Sequence, residues 1–321
     1  MALNRFVVLG RVGMDLYADP PGTQIEAATR FTSAIGGSAG NIAVALARQG
    51  ASAALLTRVS DDAVGRYCVA QLAGYGVDTS YIQACGIGLR TSLAVTETRA
   101  EGCQTVLYRN GAADFALTTA DVDAVNFSGI AALIVTGTAL AAEPSRGATL
   151  HAMVRAKAAG AITVLDLDYR AYSWPSIASA AAVCLQAAMQ ADVVIGNDEE
   201  FGLLAGSMAL GKGLAQTLAQ TLAHRDALFT IYKRGAEGAT TFAPDFSSDT
   251  PIFPVQALKP MGAGDGFMGG LLAGLGLGLG LERAVRRGAA TAAMIVAGIG
   301  CAPASPDRAA LDAFMLQRQS P

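Results

Sequence analysis

Short apolar runs alternate with longer alanine- and leucine-rich stretches over most of the chain, and this alternation predicts the elements. The runs Phe6–Gly10, Ala53–Val59, Leu133–Gly137, Ile162–Asp168, Val193–Asn197 and Leu228–Tyr232 read as strands. Several are continuously apolar, as strands buried on both faces are. Helical stretches follow at Asn41–Arg48, Ala63–Ala73, Ser145–Ala159, Ser176–Met189 and Leu214–Ala223. Repeated units of this kind predict an α/β fold with a mostly parallel sheet and right-handed crossovers. Two segments break the rhythm. Tyr17–Ala34 and Thr91–Arg109 lack a helical pattern, and the second reads as strands Ser92–Thr98 and Thr105–Arg109 around Ala100-Glu101-Gly102. They predict a small β lid, inserted around residues 11–34 and 91–109 of one domain spanning 1–321. No internal repeat, Pro-rich linker or charge block marks a second domain.

Composition narrows the partner. The chain of 321 residues is 52% hydrophobic and 15% charged, which suits a sizeable core and argues against disorder. A net charge of −3 and no Lys/Arg run leave no basic face for nucleic acid. A small molecule is the expected partner. Five scattered cysteines without a CxxC pair and two histidines are poor material for a zinc site or a His-based triad. They fit a reduced, cytoplasmic compartment, and the N-terminus lacks the apolar core of a signal peptide. The most apolar stretch, Gly266–Leu281, is glycine-rich, short of a membrane span and followed by Glu282 and Arg283. It predicts a buried helix and no membrane partner.

Four segments carry chemistry. Lys259-Pro260-Met261-Gly262-Ala263-Gly264-Asp265-Gly266 opens that apolar helix. Glycines let several N–H groups point at one spot, and a helix N-terminus adds partial positive charge there. A carboxylate beside such an anion hole can take a proton from a hydroxyl while the N–H groups stabilise a transferring phosphoryl group. The same residues are also what a glycine-rich turn with a helix-capping Asp looks like. Ile35–Asn41 is a Gly-rich strand-to-helix turn ending in an amide, Asn197-Asp198-Glu199-Glu200 an acidic helix start after a buried strand, and Lys233–Gly238 a turn after another strand. Each alone is as well explained by local structure.

In this order and at these separations, however, the four segments together resemble the ribokinase-like, phosphofructokinase-B type carbohydrate kinases, from Gly10 to about Phe314. The resemblance implies a ribokinase-like fold and phosphoryl transfer from ATP with Mg²⁺. It implies that Gly36, Gly37, Asn41 and Asp15 contact the sugar. It implies that Asn197 and Glu200 organise Mg²⁺ and phosphates through water. Lys233, Gly235 and Gly238 would lie along the nucleotide, Gly262, Ala263 and Gly264 would form the anion hole, and Asp265 would be the general base. Lids of this family often pair, so a homodimer through the lids is expected.

Two further segments bear on the substrate. Arg109 lies in Tyr108–Asp114, at the end of the lid segment, and Asp168 and Arg170 lie in Asp166–Trp174, after a core strand. Arginine suits a carboxylate, through two parallel hydrogen bonds, so two arginines near one pocket point to an acidic sugar; the usual fate of arginine, a surface or salt-bridged position, is the alternative. Both segments look most like the 5-dehydro-2-deoxygluconokinases of inositol breakdown, with 2-keto-3-deoxygluconate kinases second. The Asp-x-Asp-Tyr-Arg form and Lys259 favour the first, and Ala94, where the second group carries a substrate-facing tyrosine, counts against the runner-up. The expected reaction is phosphorylation of the 6-hydroxyl of 5-dehydro-2-deoxy-D-gluconate. A non-catalytic sugar- or nucleotide-binding protein on the same fold is the rival, and the intact Gly-Ala-Gly-Asp element argues against it.

The sequence departs from the family pattern in two places. Lys259-Pro260 stands where many members carry Asp-Thr, and Gly266 replaces Ala or Ser, which should loosen the helix start by up to about 1 kcal/mol. Gly206–Lys212 begins like a Walker A loop, but Gly213 stands where Ser or Thr must hold Mg²⁺, and a helical stretch rather than a strand precedes it. It reads as a loop between helices.

Overall fold

The computed structural model describes residues 4–86, 88–206, 212–225 and 227–318. Among them are thirteen strands: β1 (Arg5–Leu9), β2 (Gly13–Asp19), β3 (Arg30–Gly36), β4 (Ser52–Ser60), β5 (Ile82–Cys85), β6 (Ser92–Thr96), β7 (Thr105–Tyr108), β8 (Ala132–Thr136), β9 (Ile162–Asp166), β10 (Val193–Gly196), β11 (Phe229–Lys233), β12 (Ala239–Ala243) and β13 (Phe246–Thr250). Nine form one sheet in the order β13-β12-β11-β10-β9-β8-β1-β4-β5. From β11 to β5 all neighbours are parallel, while β12 and β13 add an antiparallel edge. The central parallel strands β1, β8 and β10 are almost wholly apolar because both faces are covered. In β1, Val7 and Leu9 join one buried cluster and Phe6 and Val8 the other.

The two segments without helical pattern fold together as the second sheet, β3-β2-β6-β7, above one end of the first. Here β2 pairs antiparallel with β3 and parallel with β6, and β7 closes the sheet antiparallel to β6. This is the expected lid.

Element ends differ from the pattern where the backbone turns. β9 stops at Asp166 rather than Asp168, because Asp168 adopts φ 34°, a left-handed conformation that no strand tolerates. The first helix begins at Ser38 rather than Asn41. The hairpin strands β12 and β13 are largely polar and carry little periodic signal. Helix Leu281–Val296 was hidden because one apolar stretch runs through the turn at Gly278, joining it to helix Ala263–Gly276. Residues 207–211, which hold most of the Walker-like pattern, lie outside the described residues; helix Lys212–Arg225 follows them.

Helix Ala263–Gly276 gives up helix propensity for close packing. A Cβ at Gly269 would strike Ala45 of helix Ser38–Arg48, and one at Gly270 would strike Thr291. At Gly266 it would strike the Ile295 side chain. The glycine expected merely to loosen the helix start also leaves room for the Ile295 side chain of Leu281–Val296.

Candidate active site

The strand order reverses at β1, which has β4 on one side and β8 on the other. Ligands of open α/β sheets bind outside the carboxyl ends of the strands at such a point. A cavity of about 870 Å³ lies there, between residues that follow β1, β8 and β9 (Arg11, Thr138, Asp168) and the lid (Tyr17, Ala94, Thr105). A second cavity, about 580 Å³, is lined by Lys233, Gly235 and Gly238 and by apolar groups such as Phe253 and Val296. Gly262 and Asp265 line the first cavity, and Ala263 and Gly264 the second. One helical turn therefore stands between two rooms.

Both helices that begin at the first cavity start after a glycine with positive φ, Gly37 at 89° and Gly262 at 82°. Any side chain is strained there, and at Gly37 a Cβ would also press on the Arg11 carbonyl. The first N–H groups of helix Ala263–Gly276 have no intrahelical partner and can receive an anion. Asp265 sits among them, and Asn41 of the other helix donates from Nδ2 to its Oδ2 at 2.7 Å. Burial, then the nearby Asp168 carboxylate, pushes the pKa of Asp265 up to about 7, against the Asn41 hydrogen bond and the Arg170 charge, which favour the ionised form. A carboxylate poised near neutrality can accept and return a proton.

In the first cavity, Asp15 is buried, Tyr17 donates to its Oδ2 at 3.1 Å, and Oδ1 has no protein partner. Burial raises the pKa of Asp15. Gly36 does not line the cavity; a Cβ there would occupy the space of the Asp15 carboxylate. Arg109 is in the cavity wall, but its guanidinium is already engaged. Nη2 donates to Asp114 at 2.5 Å and to the Thr138 carbonyl at 3.0 Å, Nη1 donates to Ser173 at 3.3 Å, and Phe115 stacks at 4.1 Å. The salt-bridged fate of arginine applies to it. Arg170 pairs with Asp168 at 2.8 Å yet stays half exposed, and Asp168 foremost keeps it firmly charged. Arg11 also lines the cavity and donates to Ser92 at 2.9 Å, with no carboxylate partner among the described residues.

At the second cavity, Lys233 lies 3.4 Å from Asp166 and 3.9 Å from Glu200. Burial disfavours its ammonium, but Asp166 and then Glu200 outweigh that and raise its pKa. Burial raises the pKa of Asp166 and of Glu200, and the Lys233 charge opposes it in both. Glu200 and Asn197 form a reciprocal capping box: Glu200 N–H donates to Asn197 Oδ1 at 3.0 Å and Asn197 N–H to Glu200 Oε2 at 2.8 Å. Neither residue borders either of the two cavities; Glu200 reaches the site through Lys233, and Asn197 is tied to Glu200. Gly235 and Gly238 form the β11–β12 turn, where the Arg234 N–H donates to the Gly238 carbonyl at 2.7 Å.

Arg11, Tyr17, Asp166, Thr138 and Cys301 escaped the sequence reading. Asp166 was within reach, since it shares the Asp-x-Asp segment with Asp168. Cys301 comes from a distant loop with no motif around it.

Residues 3–308 match the model of the pfkB family carbohydrate kinases. The chain belongs to that family. The 5-dehydro-2-deoxygluconokinase of Photobacterium profundum is 37% identical to this pfkB kinase over 314 residues, covering 98% of this chain and 95% of the relative. A double mutant of Vibrio cholerae fructokinase, solved with fructose, ADP and potassium ion, is 27% identical, with a TM-score of 0.85 over 97% of this chain and 98% of its own. Xylella fastidiosa fructokinase, solved with bound ATP, has a TM-score of 0.87 at 24% identity over 99% and 100% of the two chains. The fold of this pfkB kinase is ribokinase-like, and it is a carbohydrate kinase.

Proposed function

We propose that this kinase transfers the γ-phosphoryl group of ATP to the 6-hydroxyl of 5-dehydro-2-deoxy-D-gluconate. The observation that carries the transfer is the single helical turn between the two cavities. Asp265 lines the charged cavity, and Ala263 and Gly264 line the apolar one. Asp265 takes the proton of the acceptor hydroxyl as the oxygen attacks the γ-phosphorus, and the N–H groups of Gly262, Ala263 and Gly264 bind the phosphoryl oxygens. Asp265 in place, with a pKa near neutrality, favours catalysis over the binding-only alternative.

Lys233, Gly235 and Gly238 border the phosphates, and the apolar wall around Phe253 takes the base. Mg²⁺ neutralises phosphate charge when bound. Among the described residues no group of three or more His, Cys, Asp or Glu could hold a metal ion by itself. Glu200 and Asp166, both tied to Lys233, fit a metal held mostly by phosphates and water, which is how Mg²⁺ is usually bound.

The acidic substrate is supported by the relative's name, by Ala94 in the cavity wall, and by the arginines. Arg170 keeps a half-exposed guanidinium, and Arg11 adds one without a carboxylate partner among the described residues, so these two hold the substrate carboxylate. Arg109, spent on Asp114, shapes the wall. Asp15, Asn41 and Asp168 bind hydroxyls. Side-by-side kinetics test this. We expect kcat/KM for 5-dehydro-2-deoxygluconate to exceed that for ribose or fructose by at least roughly 10²-fold, because a neutral sugar leaves charged donors unpaired. Preference for 2-keto-3-deoxygluconate would move the assignment to the sister acid, and preference for fructose would end the acidic-sugar reading. Exposed Phe31, Val106 and Tyr108 on the lid support a lid-to-lid homodimer, which sedentation of the purified protein by ultracentrifugation would test, and the free cysteines are in keeping with a cytoplasmic location.

A further inference from the structure

Lys259 is fully buried, and no carboxylate among the described residues lies within salt-bridge distance of it, although the Asp15 carboxylate is close enough to feel its charge. An unpaired ammonium in a protein interior is costly, so its surroundings must compensate. Its Nζ donates to the Met261 carbonyl at 2.9 Å and the Ile295 carbonyl at 3.2 Å, and lies 3.9 Å from Cys301 Sγ. Three acceptors meet the three N–H bonds of an ammonium. Ile295 is in the last turn of helix Leu281–Val296, whose carbonyl end is electronegative and favours a cation. Met261 immediately precedes Gly262, the N-cap of helix Ala263–Gly276. One charge thus ties the negative end of one helix to the positive end of the next.

The tie sets the orientation of a catalytic peptide. In a planar trans peptide the carbonyl and the following N–H point in opposite directions. With the Met261 carbonyl held on Nζ, the Gly262 N–H is aimed away from it and cannot rotate. The same strap is closed by the Leu258 N–H, which donates to the Val296 carbonyl at 2.8 Å. Lys259 borders the second cavity, but its N–H groups are already taken, so it is not a phosphate ligand.

We propose that Lys259 is a tethered monovalent cation. It occupies a carbonyl-lined site that a free potassium or ammonium ion would otherwise fill, it positions the anion hole, and it makes the enzyme independent of monovalent cations. Backbone carbonyls facing inward are the ligands with which proteins replace the water around potassium, so the site emptied of Nζ should accept a small cation.

The test has two arms. The unmodified enzyme is assayed in choline chloride, NaCl, KCl and NH₄Cl at equal ionic strength, and the rates should agree within about 1.5-fold, since screening is equal in all four. Stimulation of several-fold by KCl overturns the proposal, and this arm needs no variant. In the second arm Lys259→Met should lose roughly 10- to 10²-fold in kcat through misplacement of the Gly262 amide. It should also melt several degrees lower. KCl or NH₄Cl, but not choline chloride, should recover rate and melting temperature together in a saturable way, as a ligand of the native state does. A folded variant with an undiminished rate, or a loss that neither salt recovers, refutes it. If the variant folds only in KCl or NH₄Cl, that selectivity counts in favour; if it folds in no salt, the cation series on the unmodified enzyme decides. The rate readouts rest on the kinase activity and the substrate reading, but the melting readout does not, so failure of the substrate assignment stays separable.

Discussion

The two cavities that share the first turn of helix Ala263–Gly276 are built on opposite principles. The acceptor side crowds Asp15, Asp168, Asp265, Arg11, Arg109 and Arg170 around one space, and most of these charges are held by a neighbour. The donor side is mostly apolar, with Lys233 as the cation toward which Asp166 and Glu200 converge. Paired charges in a confined space discriminate, because a ligand lacking the right partner leaves a buried group unsatisfied. An apolar slot with the Lys233 ammonium at its edge suits a flat base carrying phosphates, the other lysine there, Lys259, being spent on backbone carbonyls. Under the proposed function, this difference assigns substrate choice to the acceptor side and energy supply to the donor side.

The largest test of that division is Asp265→Asn, which keeps shape and a capping group but cannot take the hydroxyl proton. We expect kcat to fall on the order of 10²-fold or more, with ATP affinity little changed. Near-normal turnover would remove Asp265 from the role. Arg170→Met comes next. Loss of a charge-assisted hydrogen bond to a carboxylate, about 1.5–3 kcal/mol, should lower kcat/KM for the acidic sugar roughly 10- to 10²-fold and leave residual neutral-sugar turnover intact. An equal loss on both sugars would make Arg170 a prop for Asp168 only.

On the donor side Glu200→Gln should raise the Mg²⁺ concentration for half-maximal rate by roughly 10-fold, the lower end of what loss of one outer carboxylate costs, with sugar preference unchanged. An unchanged Mg²⁺ titration would reduce Glu200 to its place in the capping box. The smallest effect is a displacement along the pH axis. Asp265 must be ionised to act, so kcat/KM should fall as pH drops through about 7, the value to which burial and Asp168 raise it. Asn41→Ala removes a hydrogen bond that favours the ionised form, so the acid limb should move to higher pH. Asp168→Asn removes the neighbouring negative charge and should move it the other way. A limb fixed in both variants would mean that another group titrates.

Much of this was legible in the chain. Buried parallel strands must be apolar on both faces, so β1, β4, β8 and β10 announce themselves, whereas the polar hairpin β12–β13 does not. The Gly-Ala-Gly-Asp element is legible because backbone crowding and a positive φ at Gly262 demand glycine whatever surrounds it. Such constraints act within a few residues, and a linear pattern can carry them. What the sequence could not decide is which charges cancel. Arg109 became a paired wall residue because Asp114 and Phe115 fold onto it, and Arg11 entered the cavity through the turn after β1. Lys259 looked like a deviation from a motif until the fold brought Ile295 and Cys301, far along the chain, to its ammonium. Periodicity and glycine placement are local and written in the chain, but the energy of a charge depends on every group within a few ångströms, and only the tertiary structure chooses those groups.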